Sequence, residues 1–349
     1  RLAKAAMDLD IPVWLDSPVR ELAIEEGRIA GALVERNGSL TRVRARVGVV
    51  LACGGFPHDI ERRKALFPHA PTGREHYTPS PASNTGDGLR MAEAVGGYVD
   101  PTIPHAAAWV PTSVTKRPDG SAGVMPHFID RAKPGVIAVL ANGKRFCNES
   151  ESYHDVGAAM IEACADQTET FAWLIADKET IAKYGLGYAK PAPLPLGGLI
   201  RQGYLKTGRT LADLARACGI DAGQLEATVS EYNKGALNGI DSQFHRGETS
   251  FNRYLADPEN EPNPCVAPVA KGPFYAVKLV MGDLGTFDGL KTTLEGQVLD
   301  ADEQPIPGLY AVGNDRASIM GGNYPGAGIT LGPIMTFGYV TGRHLAKAA

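Results

Sequence analysis

The sequence predicts an α/β fold in which a layered domain of strands and helices is interrupted by an inserted, mostly helical and loop-rich domain. Three observations carry this reading. Residues 1–55 read in order as a helix, a strand, an antiparallel meander, a buried strand and a glycine turn. From about Pro104 to Gly282, Pro and Gly clusters break the pattern around two convincing helices. The last segment returns to the first texture, with a buried strand, a glycine loop and a long helix. The expected ranges are 1–103, 104–282 and 283–349, the first and last belonging to one domain.

Each element has its own signal. Residues 1–10 place Leu2, Ala5, Ala6 and Leu9 on one helical face. Arg1 already stands inside that pattern, so the reading expects a further segment before it. Residues 11–15 read as a short strand, and 19–24, 28–36 and 40–46 as a meander turned at Glu26-Gly27 and Asn37-Gly38. The apolar run 47–52 fits a strand buried on both faces and leads into Cys53-Gly54-Gly55, then a helix near 60–66. A second loop, Asn84-Thr85-Gly86-Asp87-Gly88, opens a helix over 89–94, with Thr85 or Asp87 as its cap and Gly96-Gly97 at its end.

In the insert, one helix over 211–218 stops at Gly219, and another over 222–237 opens on Asp221 and Gln224, a pair resembling a capping box. A buried strand over 309–312 runs into Gly313-Asn314. The glycine loop 321–328 then feeds a helix over 330–346, where Pro333 is tolerable because it falls in the first turn. The order of the first and last segments is typical of the later part of a dinucleotide-binding domain.

Composition narrows the function classes. A length of 349 residues suggests two domains, and 44% hydrophobic with 21% charged residues is an ordinary globular balance. The net charge of -4 without a basic block excludes a nucleic-acid footprint. No apolar run reaches the roughly 18 residues of a membrane helix. The five cysteines lack CxxC or metal-ligand spacing, so no metal is expected and free thiols in a reducing cytoplasm are. The 41 glycines exceed the norm of roughly 7%, as backbone approaching a ligand closely requires.

Three strand-to-glycine transitions supply bare N–H groups for a ligand: Ala52 to Gly55, Val312 to Asn314, and Gly326-Ala327-Gly328 at a helix start. No GxGxxG is present, since Gly332 stands one residue too late after Gly326 and Gly328.

The stretch Gly308-Leu-Tyr-Ala-Val-Gly-Asn314, with Met320-Gly-Gly-Asn-Tyr-Pro-Gly-Ala-Gly-Ile-Thr-Leu-Gly-Pro333 and Thr336-Phe-Gly-Tyr339, resembles the C-terminal signature of the fumarate reductase/succinate dehydrogenase flavoproteins. Within that superfamily it is most similar to the 3-ketosteroid delta-1-dehydrogenase branch. Gly282-Asp-Leu-Gly-Thr286, Gly143-Lys-Arg-Phe-Cys-Asn-Glu149, Phe244-His-Arg-Gly247, Arg253-Tyr254 and Asp257-Pro258 point the same way. The resemblance implies part of a FAD-binding Rossmann-like domain lacking its N-terminal GxGxxG unit, with a substrate-binding α+β cap inserted. Fumarate reductases carry an arginine where this chain has Tyr324, and a proton-donating arginine in the stretch of Tyr153 and His154. A dicarboxylate needs paired cations, whereas a ketone suits a neutral tyrosine donor.

The implied chemistry is removal of two hydrogens beside a ketone, with hydride to flavin N5 and a proton to a base. The resemblance assigns the Tyr324 hydroxyl and the Gly328 N–H to the ketone oxygen, and Tyr184 to the proton; Tyr188 and Tyr204 are rivals for that last role. It sets Ala52, Gly54 and Gly55 along the pyrophosphate and ribose of FAD, and Gly313-Asn314 at the ribityl chain. Thr330 and Leu331 N–H groups face the flavin O2 edge, and Thr85 and Asp87 lie in a loop near the flavin. His105, His127 and His154 are read as structural or solvated. The expected partners are an apolar, steroid-like ketone and an electron acceptor. The competing readings are a flavin reductase of unsaturated acids, clamped by Arg131, Arg145 or Arg201, and an inactive scaffold.

Overall fold

The computed structural model describes residues 1–100 and 102–348. Helix α1 (Leu2–Asp8) forms as expected, and none of its residues is buried. Residues 11–15 do not form the expected strand. Ile11, Val13 and Leu15 are exposed, and no described residue pairs with this segment, so its backbone lacks the neighbour a strand requires.

Strands β1 (Val19–Glu25), β2 (Arg28–Arg36) and β3 (Ser39–Arg44) make the expected antiparallel meander. Glu26 and Gly27 sit at φ 49° and 74°, as do Asn37 and Gly38. Two consecutive left-handed residues match the strand twist, which is why Asn-Gly marked this hairpin. Strand β4 (Val49–Leu51) follows, then α2 (Ile60–Leu66), whose start is capped by the Asp59 carboxylate accepting from the Glu61 and Arg62 N–H groups. Helix α3 (Asp87–Glu93) begins at Gly86, φ 80°, without a side-chain cap. The expected capping by Thr85 or Asp87 is therefore wrong. Arg90 draws the Asp87 carboxylate sideways, and the Thr85 hydroxyl donates to that same carboxylate.

The insert is not mostly helical; it is built on a six-stranded antiparallel sheet. In chain order it contains β5 (Ala107–Lys116), β6 (Ala122–Pro126), β7 (Val136–Val139), α4 (Tyr153–Ala163), β8 (Phe171–Ala176), α5 (Lys178–Tyr184), α6 (Gly197–Arg201), β9 (Leu205–Gly208), α7 (Leu211–Cys218), α8 (Ala222–Ala236), α9 (Ser250–Tyr254) and β10 (Phe274–Thr286). The strand order is β6-β5-β10-β8-β7, with β9 also on β10. These strands escaped notice for a physical reason. β7 and most of β5 and β8 are buried on both faces, so they lack alternation, and Pro111 interrupts β5. The helices did follow the sequence: α7 has a full capping box at Thr210 and ends on left-handed Gly219. Asp221 caps α8 through the Gln224 N–H, but the Gln224 amide turns to Thr228, so only half the box forms.

Strand β10 passes through the expected 282/283 boundary without a break. It carries the chain from the insert into the layered domain and delivers Asp283 to Thr286 beside the glycine turns. Strands β11 (Gln297–Leu299) and β12 (Pro305–Ala311) pair antiparallel, and β12 lies parallel to β4, with Ala311 opposite Leu51. Helix α10 (Leu331–Ala348) closes the chain with Pro333 in its first turn. All five cysteines are free. No helix among the described residues is long and apolar enough to cross a membrane.

Candidate active site

Because β4 and β12 are parallel neighbours, their C-terminal ends open side by side. Ligands of open α/β sheets bind at such ends. The structure brings Ala52, Gly54, Gly55, Gly313 and Asn314 together there. Gly55 has φ 73°, and a Cβ on it would overlap the Thr286 hydroxyl and lie 2.9 Å from the Asn314 carbonyl oxygen. Gly86 N–H donates to the Gly55 carbonyl (3.1 Å), joining the Thr85–Asp87 loop to this turn.

The expectation of bare N–H groups needs one correction. Cys53 and Gly55 donate theirs to the buried Asp315 carboxylate, the latter at 3.0 Å. Burial pushes the Asp315 carboxyl up, while these backbone bonds pull it back down. Gly88 completes the fit, since a Cβ there would come within 2.7 Å of the same carboxylate. Asp315 thus ties β4, β12 and α3 into one platform.

The start of α10 is the complementary half. Among the described residues, no backbone or side-chain acceptor takes the N–H of Gly328, Thr330 or Leu331. Gly328, at φ 93°, and Gly332 have open space where a Cβ would be. A cavity lies between this helix start and Thr286, Phe287, Asn314 and Arg316. Two buried polar atoms along it have no partner, the Thr286 hydroxyl and one Arg316 Nη. The Arg316 guanidinium stacks 3.7 Å above the Phe337 ring and has no counter-ion among the described residues, and burial pulls its pKa down. Free N–H groups at a helix start, an orphaned hydroxyl and an unpaired cation fit the polar, anion-forming edge of a flavin. Thr330, Leu331, Asn314 and Arg316 are the residues that would hold it.

Tyr324 is buried in a small apolar cluster with Ala108, Phe287 and Ile329. Tyr153, at the start of α4 behind the Ser152 cap, lies against it with ring centroids 4.2 Å apart. Burial and then Tyr324 push the Tyr153 hydroxyl well above the usual tyrosine range. Burial also raises Tyr324, partly offset by Tyr153. Phe128 continues the row, 5.3 Å from Tyr153, and leads to a cavity of about 270 Å³ lined in part by Ile129, Lys133, Tyr184, Leu186 and Lys190.

Tyr184 is not placed against Tyr324. Its hydroxyl donates to Asp257 (2.5 Å), which also holds Lys183 (2.6 Å). Burial and that carboxylate raise its pKa, and its hydroxyl proton is committed to Asp257, away from the Tyr324 cluster. Of its rivals, Tyr204 is bonded to Ser113 (2.8 Å) and held up at about 12 by burial, and Tyr188 packs on it. The arginines required by the unsaturated-acid reading are engaged elsewhere. Arg131 donates to the carbonyls of His127, Glu149 and Glu151, and Arg145 forks onto Glu149 and Asp241. Arg201 sits exposed on α6.

Sequence reasoning passed over Tyr153, Asp315 and Arg316. For Tyr153 a signal was present, because it stands in the stretch where fumarate reductases place their proton-donating arginine. Asp315 and Arg316 follow Gly313-Asn314 directly and carried no periodicity of their own.

Comparison with known proteins identifies the family. Residues 1–331 match the family model described as "FAD binding domain". The chain is 44% identical to 4-oxocyclohex-2-ene-1-carboxylate 5-dehydrogenase of Sinomonas cyclohexanicum, over 100% of this chain and 59% of that protein. It is 37% identical to 3-oxosteroid 1-dehydrogenase of Mycobacterium tuberculosis, over 97% of this chain and 60% of that protein. The crystal structure of 3-ketosteroid delta1-dehydrogenase from Sterolibacterium denitrificans, in complex with 1,4-androstadiene-3,17-dione, superposes with a TM-score of 0.91 at 37% identity, over 100% of this chain and 62% of that one. The chain therefore spans about 60% of the length of these relatives. It belongs to the FAD binding domain family of flavoproteins, in the company of the 3-oxosteroid 1-dehydrogenases and fumarate reductases.

Proposed function

We propose that the protein of which this chain is part is a FAD-dependent dehydrogenase that introduces a C=C bond beside a ring ketone. The observation that carries this reading is the Tyr153–Tyr324 pair in an apolar cluster, where a dicarboxylate enzyme would need cations. When bound, FAD supplies the hydride acceptor. Tyr324, from the glycine loop, donates its hydroxyl hydrogen bond to the ketone oxygen, joined by the Gly328 N–H. That bond strengthens as negative charge builds on the oxygen, which lowers the barrier to proton removal.

Tyr153, in place of Tyr184, takes the proton from the neighbouring carbon. It acts as the phenolate, its own hydroxyl proton having first left to solvent before the ketone closes the pocket; because burial raises its pKa, that form is a minor but strongly basic one. The apolar walls of Phe128, Phe287 and Ile329 exclude water from the pair. Arg316 and the α10 start would hold the cofactor's anion-forming edge. Ala52, Gly54, Asn314 and the Thr85–Asp87 loop would hold the rest of FAD.

Two substrates fit a ring ketone. The apolar Phe128–Leu186 wall suits a flat steroid-like skeleton. A second reading, a small oxocyclohexane carboxylate, is favoured by Lys190 on the cavity, which would face an acid opposite the ketone, while Lys133 is held by the Leu255 and Ala256 carbonyls. The test is turnover of the full-length, flavin-loaded enzyme with an artificial electron acceptor. A 3-ketosteroid or 4-oxocyclohexanecarboxylate should support reduction and succinate should not. Turnover of succinate with neither ketone would reject the proposal.

A further inference from the structure

Next to the tyrosine pair lies a histidine pair that the proposed chemistry does not use. His154, on the first turn of α4, is buried, and its Nδ1 lies 3.1 Å from the backbone nitrogen of Trp109 on β5. An amide N–H only donates, so this Nδ1 carries no proton. The ring's single proton is then on Nε2, which lies 2.8 Å from His105 Nδ1. His105 Nδ1 must accept, which puts its own proton on Nε2. This assignment of tautomers follows from the one donor whose role is fixed. Burial, then His105, hold His154 down at about 4, so the ring is neutral near neutral pH.

The position of this chain of bonds gives it a role. His154 adjoins Tyr153 on α4, and its ring packs 5.6 Å from Phe287 in the Tyr324 cluster. The Gly322 carbonyl, two residues before Tyr324, lies 3.1 Å from His105 Nδ1; both are acceptors, so the His154 Nε2–H is the one donor that faces them and holds the loop to the pair. Gly322 is at φ 79°, and a Cβ there would lie 3.0 Å from the His105 amide nitrogen. The glycine loop therefore rests on His105, and His105 is fixed through His154 to both α4 and β5. Tyr153 and Tyr324 come from segments far apart in sequence, so something must hold their separation. Their rings alone leave rotation and sliding free.

Resting on the reading above, we propose that His154 and His105 are positioning residues that clamp the Tyr324 loop against α4 and so set the register of Tyr324 against Tyr153. Neither touches substrate. Their removal acts on geometry, and a misplacement of about 1 Å in a reacting group can cost ~10²-fold in rate.

The experiment uses the full-length, flavin-loaded enzyme with its ketone substrate. His154→Leu removes both bonds at similar bulk, and His154→Gln offers an acceptor and a donor in their place. The clamp predicts that H154L keeps its flavin and loses about 10²-fold in kcat with little change in KM, while H154Q recovers most of the loss. His105→Ala, at the half-exposed end of the pair, should lose kcat in the same direction and covers the case in which H154L does not fold. Equal turnover of H105A and parent, or H154Q as poor as H154L, would overturn the clamp while leaving the function intact, since the parent still turns over. Crystal structures give a readout independent of turnover. A Tyr153–Tyr324 pair and Gly322 loop unmoved in H105A contradict the clamp even if the parent proves inactive with ketones, and a displaced loop with parted rings supports it.

Discussion

The ring of Tyr153 lies 4.2 Å from that of Tyr324, centroid to centroid, although one starts a helix of the insert and the other belongs to a loop of the layered domain. This contact across the two parts of the fold underlies the proposed division of labour, one hydroxyl donating to the ketone and the other receiving the proton. Tyr324→Phe should keep flavin content and lower kcat by about 10²–10³-fold, the usual loss of one such donor, with a modest change in substrate binding. Tyr153→Phe should be slower still, whereas Tyr184→Phe should stay within about threefold of the parent. Steady-state rates with protiated substrate and with substrate deuterated beside the ketone separate the roles.

Arg316 is a buried cation with no anion among the described residues. Arg316→Met keeps the contact with Phe337 and removes the charge. The flavin midpoint potential, measured by anaerobic dye titration, should fall by about 30 mV or more, the two-electron equivalent of ~1.4 kcal/mol. An unchanged potential would show that this guanidinium lies away from the cofactor's redox-active edge.

How much of this was legible beforehand follows from what each residue does locally. The Asn37-Gly38 turn, Asp221 before α8 and Gly219 after α7 serve their own neighbours, and the sequence around them says so. The insert's sheet was hidden because β7 and β8 are buried on both faces, which erases alternation. Tyr324 and Asn314 were found through the motif that surrounds them. Tyr153 was visible only as a departure from a family pattern, since its value comes from a partner 171 positions along the chain. The Asp315 bonds to Cys53 and Gly55 span some 260 positions and leave no local trace.

Glu149 sits fully buried between Arg145 and Arg246. Burial would raise its pKa, but the two guanidiniums outweigh it and hold the carboxyl below its usual range. With the folded pKa depressed, the stabilisation is present above the unfolded value of 4.5 and is lost as pH falls through the folded one. Glu149→Ala leaves Arg246 without its carboxylate and Arg145 with Asp241 alone, and should cost about 3–5 kcal/mol in urea unfolding at neutral pH. The difference from the parent should shrink in acid.

Asp288 has the reverse sign. Burial, then the charge of Asp100, raise its carboxyl to about 6, and one of its oxygens has no partner. The folded pKa exceeds the unfolded value of 3.8, so the ionised form destabilises the fold above pH 6, and the penalty fades as pH falls toward 3.8. Asp288→Asn should therefore raise Tm at pH 8, with the gain vanishing near pH 4. A gain that grows in acid would contradict this assignment.

The most direct test is whether a ring ketone alone reduces the enzyme-bound flavin, and whether Tyr153 is needed for it. The full-length enzyme is mixed anaerobically with a 3-ketosteroid, with 4-oxocyclohexanecarboxylate and with succinate, and the oxidised-flavin absorbance is followed in a stopped-flow instrument. The account predicts bleaching by at least one of the ketones, slowed when the carbon beside the carbonyl carries deuterium, none with succinate, and near-complete loss of the ketone reaction in Tyr153→Phe. Bleaching by succinate alone, or ketone bleaching in Tyr153→Phe as fast as in the parent, would contradict it.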